Sequence, residues 1–144
     1  LYPFDVFIGK KTDNGRVKFN DLKKDNVIGT ASIRRRRFIL ASNSDLKVVD
    51  HRGNVNTRIL KLDADKTLSG IVLAEAGIVR LGLTVNYERL PIETIVPSRN
   101  QGVLVAQIRE DDTITEEILS LISNEQTERE FQAERKASTI LNSD

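Results

Sequence analysis

Between Asn26 and Leu83 the chain alternates between strand and helix patterns through six segments, and this alternation constrains the fold more than any other feature. "NVIGT" is a β-branched run ending near Gly29. From Ser32 a small polar cap opens "IRRRRFILA", with Ile33, Leu40 and Ala41 on one side, and the polar cluster "SNSD" closes it. "LKVVD" reads as a strand, and "NVNTRILKLDA" as a helix with Val55, Ile59 and Leu62 in register. "GIVLAEA" follows as a buried strand and "GIVRLGL" as a short helix. A β-α-β-α-β-α series predicts an α/β layer with a mixed, largely parallel sheet flanked by helices. Ligands of such a layer sit at the carboxyl ends of the strands, where the following helices begin.

The flanks add less regular elements. "FDVFIG" predicts a strand, and Asn14-Gly15 in the polar stretch after it is a hairpin signal. Beyond the alternating region "GVLVAQIRE" predicts another strand. "TITEEILSLIS" and "NEQTEREFQAERKASTIL" predict two C-terminal amphipathic helices with acidic first turns. At 144 residues the chain can bury one core and part of a second. It holds no apolar run of the roughly 18 residues a membrane span needs, and Leu1–Lys11 lacks the regions of a signal peptide, so the expectation is a soluble, cytoplasmic protein. With no cysteine and a single histidine, His51, it offers neither a thiolate metal site nor a zinc cluster. The absence of methionine and the start at Leu1 suggest a piece of a longer polypeptide.

Charge is unevenly spread. Residues 1–109 carry 19 Lys and Arg against 11 Asp and Glu, whereas residues 110–144 carry 3 against 10, so the front binds anions by composition and the tail is acidic. Arginine outnumbers lysine 13 to 9, a bias toward planar, bidentate recognition of carboxylate or phosphate. Arg34 and Arg35 fall in the first turn after "GTAS". Arg52 lies between a strand end and the next helix, Arg58 one turn into that helix, and Arg80 on the helix after the third strand. All face one strand-end rim. First-turn arginines oppose the helix macrodipole at a cost of a few tenths of a kcal/mol each, which a bound anion would offset. The plain alternative is pairing with Asp45, Asp50, Asp63 or Glu75, and Arg36 and Arg37 point elsewhere around the helix.

"IGTASIRRR", "DHRGNVNTRILKL", "LAEAGIVRLGL" and "PSRNQGVLVAQIR" resemble, in order and spacing, the signature segments of the porphobilinogen deaminase (hydroxymethylbilane synthase) family, over about Asp5 to Phe131. The resemblance implies a transferase of porphyrin, tetrapyrrole and heme biosynthesis. Such an enzyme joins four porphobilinogen molecules, with loss of ammonia, onto a covalently held dipyrromethane cofactor to give a linear tetrapyrrole. Each ring brings an acetate and a propionate, which arginines can neutralise without adding rival nucleophiles. Carried over by motif, Ser32, Arg34, Arg35, Arg52 and Arg58 would bind cofactor, and Arg80, Gln101 and Gly102 would bind substrate. His51 is read as a neutral loop residue.

The same resemblance implies a periplasmic-binding-protein-like second domain over 1–95, a segment crossing back to the first domain over 96–124, and the start of a third domain over 125–144. Its catalytic aspartate would lie upstream of Leu1, so no catalytic residue is expected in this chain, and its thioether-forming cysteine has no counterpart here. Ala31 stands for the family's usual serine, and Ser98-Arg99-Asn100 for its common Ala-Val-Gly. A monomer acting on porphobilinogen, without metal, nucleic acid or membrane, is expected, and the isolated chain should be inactive. Two rivals are a non-catalytic anion-binding module of periplasmic-binding type and a nucleic-acid patch on Arg34–Arg37. The lack of a signal peptide argues against the first, and the lack of an aromatic stacking pattern against the second.

Overall fold

The computed structural model describes residues 2–141. The ends of two expected domains, residue 1 and residues 142–144, lie outside the described residues. Seven strands, β1 (Asp5–Gly9), β2 (Lys11–Thr12), β3 (Gly15–Arg16), β4 (Val27–Gly29), β5 (Lys47–Val49), β6 (Leu68–Ala74) and β7 (Glu88–Arg89), alternate with helices α1 (Ile33–Ser42), α2 (Val55–Ala64) and α3 (Glu75–Arg80). Two more helices follow, α4 (Thr113–Ser120) and α5 (Glu125–Ile140). Five strands form one sheet in the order β5-β4-β6-β1-β7, and β2 and β3 form the hairpin that Asn14-Gly15 signals.

The sheet is mixed. The three strands joined through helices, β5, β4 and β6, are parallel, and β1 and β7 complete the edge antiparallel. Its β1 residues and those of β6 from Ile71 to Leu73 alternate between the two faces, while Leu68, beyond a register shift against β4, joins the face of Ile71 and Leu73. Val6, Ile8, Ile71 and Leu73 pack on one face with Leu62 of α2 and Ile78 of α3. Phe7 and Val72 pack on the other with Ile28 and with Ile39 of α1. Both faces are therefore dry, which explains why these strands read as nearly continuous apolar runs. Close packing fixes Gly70, where a Cβ would stand 2.2 Å from the Phe7 ring.

Helix starts follow their caps. Ser32 Oγ accepts from Arg35 N at 3.3 Å, Asn54 Oδ1 from Thr57 N at 2.8 Å, Asp112 Oδ1 from Thr115 N at 3.1 Å and Asn124 Oδ1 from Thr127 N at 2.9 Å. Two sequence expectations need correction. The strand expected over "GIVLAEA" ends at Ala74, and α3 starts at Glu75 instead of Gly77; Glu75 N–H donates to Phe4 O at 2.9 Å, so one of the free N–H groups of the helix start is satisfied by the segment that leads into β1. The strand expected over "GVLVAQIRE" does not form. A strand needs a ladder partner, no sheet edge among the described residues runs beside this segment, and Leu104 and Val105 are each 74% exposed.

Candidate functional site

β1 is antiparallel to β6, with Asp5 opposite Ala74, so the first residue of β1 lies at the carboxyl rim of the parallel strands. There it meets the first turn of α1. Arg34 Nη1 lies 2.7 Å from Asp5 Oδ2, while Arg35 Nη2 and Nε lie 2.8 and 2.9 Å from Asp5 Oδ1. The Asp5 side chain is fully buried; those of Arg34 and Arg35 are 23% and 11% exposed. Burial pulls the Arg35 guanidinium below its ordinary value; Asp5 opposes that shift, and the charges of Arg34 and Arg58 reinforce it.

Gln101 locks this cluster. Its Nε2 donates to Asp5 Oδ1 at 3.1 Å and to Pro3 O, and its Oε1 accepts from Arg34 Nη2 at 3.1 Å and from Arg35 Nη2 at 3.5 Å. Arg34 Nη1 also donates to Val96 O, and Arg35 Nη1 to Val72 O at 3.4 Å. The turn that presents Gln101 needs left-handed backbone at Asn100 (φ 55°) and Gly102 (φ 85°), where a Cβ would sit 3.0 Å from Tyr2 O. Gly102 O in turn accepts from Arg80 Nη2 at 3.0 Å. The structure thus joins Arg34, Arg35, Gln101, Gly102 and Arg80 through one turn.

The remaining expected residues lie along the same strand ends. Arg58 is close enough to Arg35 for their charges to repel, and its Nε donates to Gly53 O at 2.6 Å. His51 is buried and its Nε2–H donates to Arg58 O at 2.9 Å, so it braces α2. Gly29 makes room for it, since a Cβ there would meet the imidazole at 2.9 Å. Arg52 stands apart, 76% exposed, 3.2 Å from Asp50. Asp50 also takes Arg36 at 3.1 Å, whereas Arg37 is exposed and makes no hydrogen bond or ion pair among the described residues. Of the acids proposed as plain partners, Asp50 holds Arg36 and Arg52, Asp63 holds Arg16, and Glu75 holds Arg89. Arg34 and Arg35 choose Asp5 instead, which sequence reasoning missed. The signal was there: Asp5 is a lone acid entering an apolar strand, and a buried acid demands a cation.

An α/β layer with arginines gathered at the ends of its parallel strands is an anion-binding scaffold. The family model described as "Porphobilinogen deaminase, dipyromethane cofactor binding domain" matches residues 2–117, and the chain belongs to the porphobilinogen deaminase family. A "Probable porphobilinogen deaminase" of Methanococcoides burtonii is 42% identical over 133 residues, covering 92% of this chain and 41% of that protein. One of Ignicoccus hospitalis is 43% identical over 133 residues, with 92% and 42% covered, and one of Saccharolobus islandicus 37% over 139 residues, with 96% and 45%. The chain therefore spans less than half the length of these curated relatives.

The donor set fits a polycarboxylate cofactor of the kind the matched model names. Arg34 Nε and one hydrogen on Nη2 have no acceptor among the described residues, and Arg58 adds positive charge beside them. No cysteine is present to anchor such a group covalently. No helix among the described residues is long and apolar enough to cross a membrane.

Proposed function

We propose that this chain supplies the carboxylate-binding wall of a cytoplasmic, monomeric transferase that condenses four porphobilinogen molecules, with release of ammonia, into the linear tetrapyrrole hydroxymethylbilane. The observation that carries this reading is the convergence of Arg34, Arg35 and Arg58 on one strand-end rim. A dipyrromethane group, when bound, supplies the primer onto which pyrroles are joined. Arg34 and Arg58 bind its acetate and propionate groups, Ser32 caps the helix that presents Arg34, and Arg35 holds Asp5. Arg52, exposed and tied only to Asp50, swings to meet carboxylates of the growing chain. Arg80, fixed by Gly102, receives the carboxylates of incoming porphobilinogen, and Gln101 sets the turn between these two groups. No residue here is assigned a proton-transfer role.

In this reading residues 1–95 are the second domain of the whole enzyme, 96–124 cross back to the first, and 125–144 begin the third. The exposed, strand-patterned Leu104 and Val105 support the crossing, since they suit a sheet edge belonging to another domain. The test is to express this sequence joined to the segments its relatives carry in addition. Intact mass should show an added dipyrromethane, and porphobilinogen should be consumed with formation of hydroxymethylbilane. A product with neither property would refute the assignment.

A further inference from the structure

Asp5 already occupies much of what Arg34 and Arg35 can offer, through one hydrogen bond and two ion-pair contacts. A guanidinium carries five N–H groups. Arg35 gives Nε–H to Asp5, one Nη2–H to Gln101 and one Nη1–H to Val72 O, and its Nη2 also stands in ion-pair contact with Asp5 Oδ1 at 2.8 Å, which leaves a single Nη1–H outside these contacts. Arg34 gives one Nη1–H to Val96 O and one Nη2–H to Gln101, and its Nη1 lies in ion-pair contact with Asp5 Oδ2 at 2.7 Å without a hydrogen bond, so Nε–H and one Nη2–H remain outside these contacts. Charge follows the same pattern. Two guanidiniums against one fully buried carboxylate leave one uncompensated positive charge. Arg34, twice as exposed as Arg35, holds the spare N–H pair that can form a fork.

We propose that Asp5 is a positioning residue that limits the Arg34–Arg35 pair to one ligand carboxylate, presented by Arg34, with Gln101 holding the arrangement. The proposal rests on the reading of the rim as a carboxylate site. Gln101 fits the role because its amide orientation is forced: Nε2 must face Asp5 and the Pro3 carbonyl, and Oε1 must face both arginines. Removing the Asp5 charge frees the Arg35 fork and doubles the net charge of the pair. Preference should then move toward ligands that bring two carboxylates at once.

The experiment titrates the full 144-residue chain with pyrrole-3-carboxylate and with pyrrole-3,4-dicarboxylate at one ionic strength, and reads the ratio of the two dissociation constants. Partial unfolding weakens both ligands equally and leaves that ratio unchanged, so a merely structural role for Asp5 would not move it. Asp5→Asn should shift the ratio about tenfold toward the dicarboxylate. Asp5→Glu, which keeps the charge, should restore it to near the parent value. Gln101→Glu brings the cluster to zero net charge with Asp5 still in place, at the loss of the amide donation to Asp5, and should weaken the monocarboxylate about tenfold; it decides the matter if Asp5→Asn does not fold. An unchanged ratio in Asp5→Asn, or unchanged monocarboxylate binding in Gln101→Glu, overturns the role of Asp5 while leaving the rim a carboxylate site. Failure of the parent chain to bind either pyrrole would instead remove the reading of the rim itself.

Discussion

Lysine substitution along Arg34–Arg37 should produce four different losses of stability, because the same side chain occupies four different environments on one helix. At Arg35, Nε and Nη2 hold Asp5 at 2.9 and 2.8 Å, and Val72 O and Gln101 take longer bonds at 3.4 and 3.5 Å. An ammonium keeps the charge but is a point donor. It can retain one contact to Asp5 Oδ1 and forfeits the other, a charge-assisted contact of about 1.5–3 kcal/mol, with a weaker loss at Val72 O. Arg35→Lys should therefore cost about 2–3 kcal/mol. Arg34→Lys gives up either Val96 O or Gln101 in a more exposed setting, about 1–2 kcal/mol. Arg36 holds Val48 O at 2.7 Å and the exposed Asp50 at 3.1 Å, and its replacement should cost about 0.5–1 kcal/mol. Arg37→Lys should be silent. Urea denaturation followed by circular dichroism reads these differences as midpoint shifts at constant slope; with a slope of about 2 kcal/mol per M, Arg35→Lys moves the midpoint by roughly 1 M or more. Four equal shifts, or an Arg35 variant indistinguishable from the Arg37 variant, would refute this account of the tetrad.

Gly102→Ala forces a Cβ onto φ 85° and to within 3.0 Å of Tyr2 O, so it should cost about 1–2 kcal/mol and loosen Gln101, seen as faster amide exchange at residues 98–103. The Asp112 carboxyl is held below its ordinary value by hydrogen bonds from the Thr115 hydroxyl and backbone N–H. A depressed folded value means that the stability it adds is present above the unfolded value, about pH 3.9, and is lost as pH falls through the folded one. Backbone NMR shifts of α4 should accordingly report fraying only below that range, and fraying already at pH 5 would contradict the cap. Arg52 is exposed and its bridge to Asp50 contributes little to stability, so Arg52→Gln should leave the denaturation midpoint in place while lowering dipyrromethane content in the full-length enzyme. Normal cofactor content and activity would remove Arg52 from the site.

Much of the architecture was legible in local pattern. Changes between periods near 2 and 3.6 located β1, β4, β5, β6, α1 and α2, and the polar residues Ser32 and Asn54 marked helix starts that their side chains do cap. These features are local: a cap or a hydrophobic stripe acts within a turn or two of itself. The bias toward arginine, and its placement after strand ends, was likewise visible, because a strand-helix series fixes which loops share a rim. One error came from treating pattern as sufficient. Residues 103–110 alternate and are rich in β-branched and aliphatic side chains, yet a strand is defined by its partner, and no described edge accepts it.

What only tertiary structure decided was the partner of the arginines. Asp5 lies about thirty residues away from Arg34 and Arg35 in sequence, and Gln101 lies 66 residues beyond Arg35; nothing in their local context ties them together. Sheet order does. Because β1 enters antiparallel beside β6, its first residue arrives at the rim where the parallel strands end, and burial there makes an unpaired carboxylate or guanidinium too costly to leave alone. The sequence by itself determined that this chain would carry positive charge at its strand ends. The fold decided how much of that charge is spent within the protein and how much remains for a ligand.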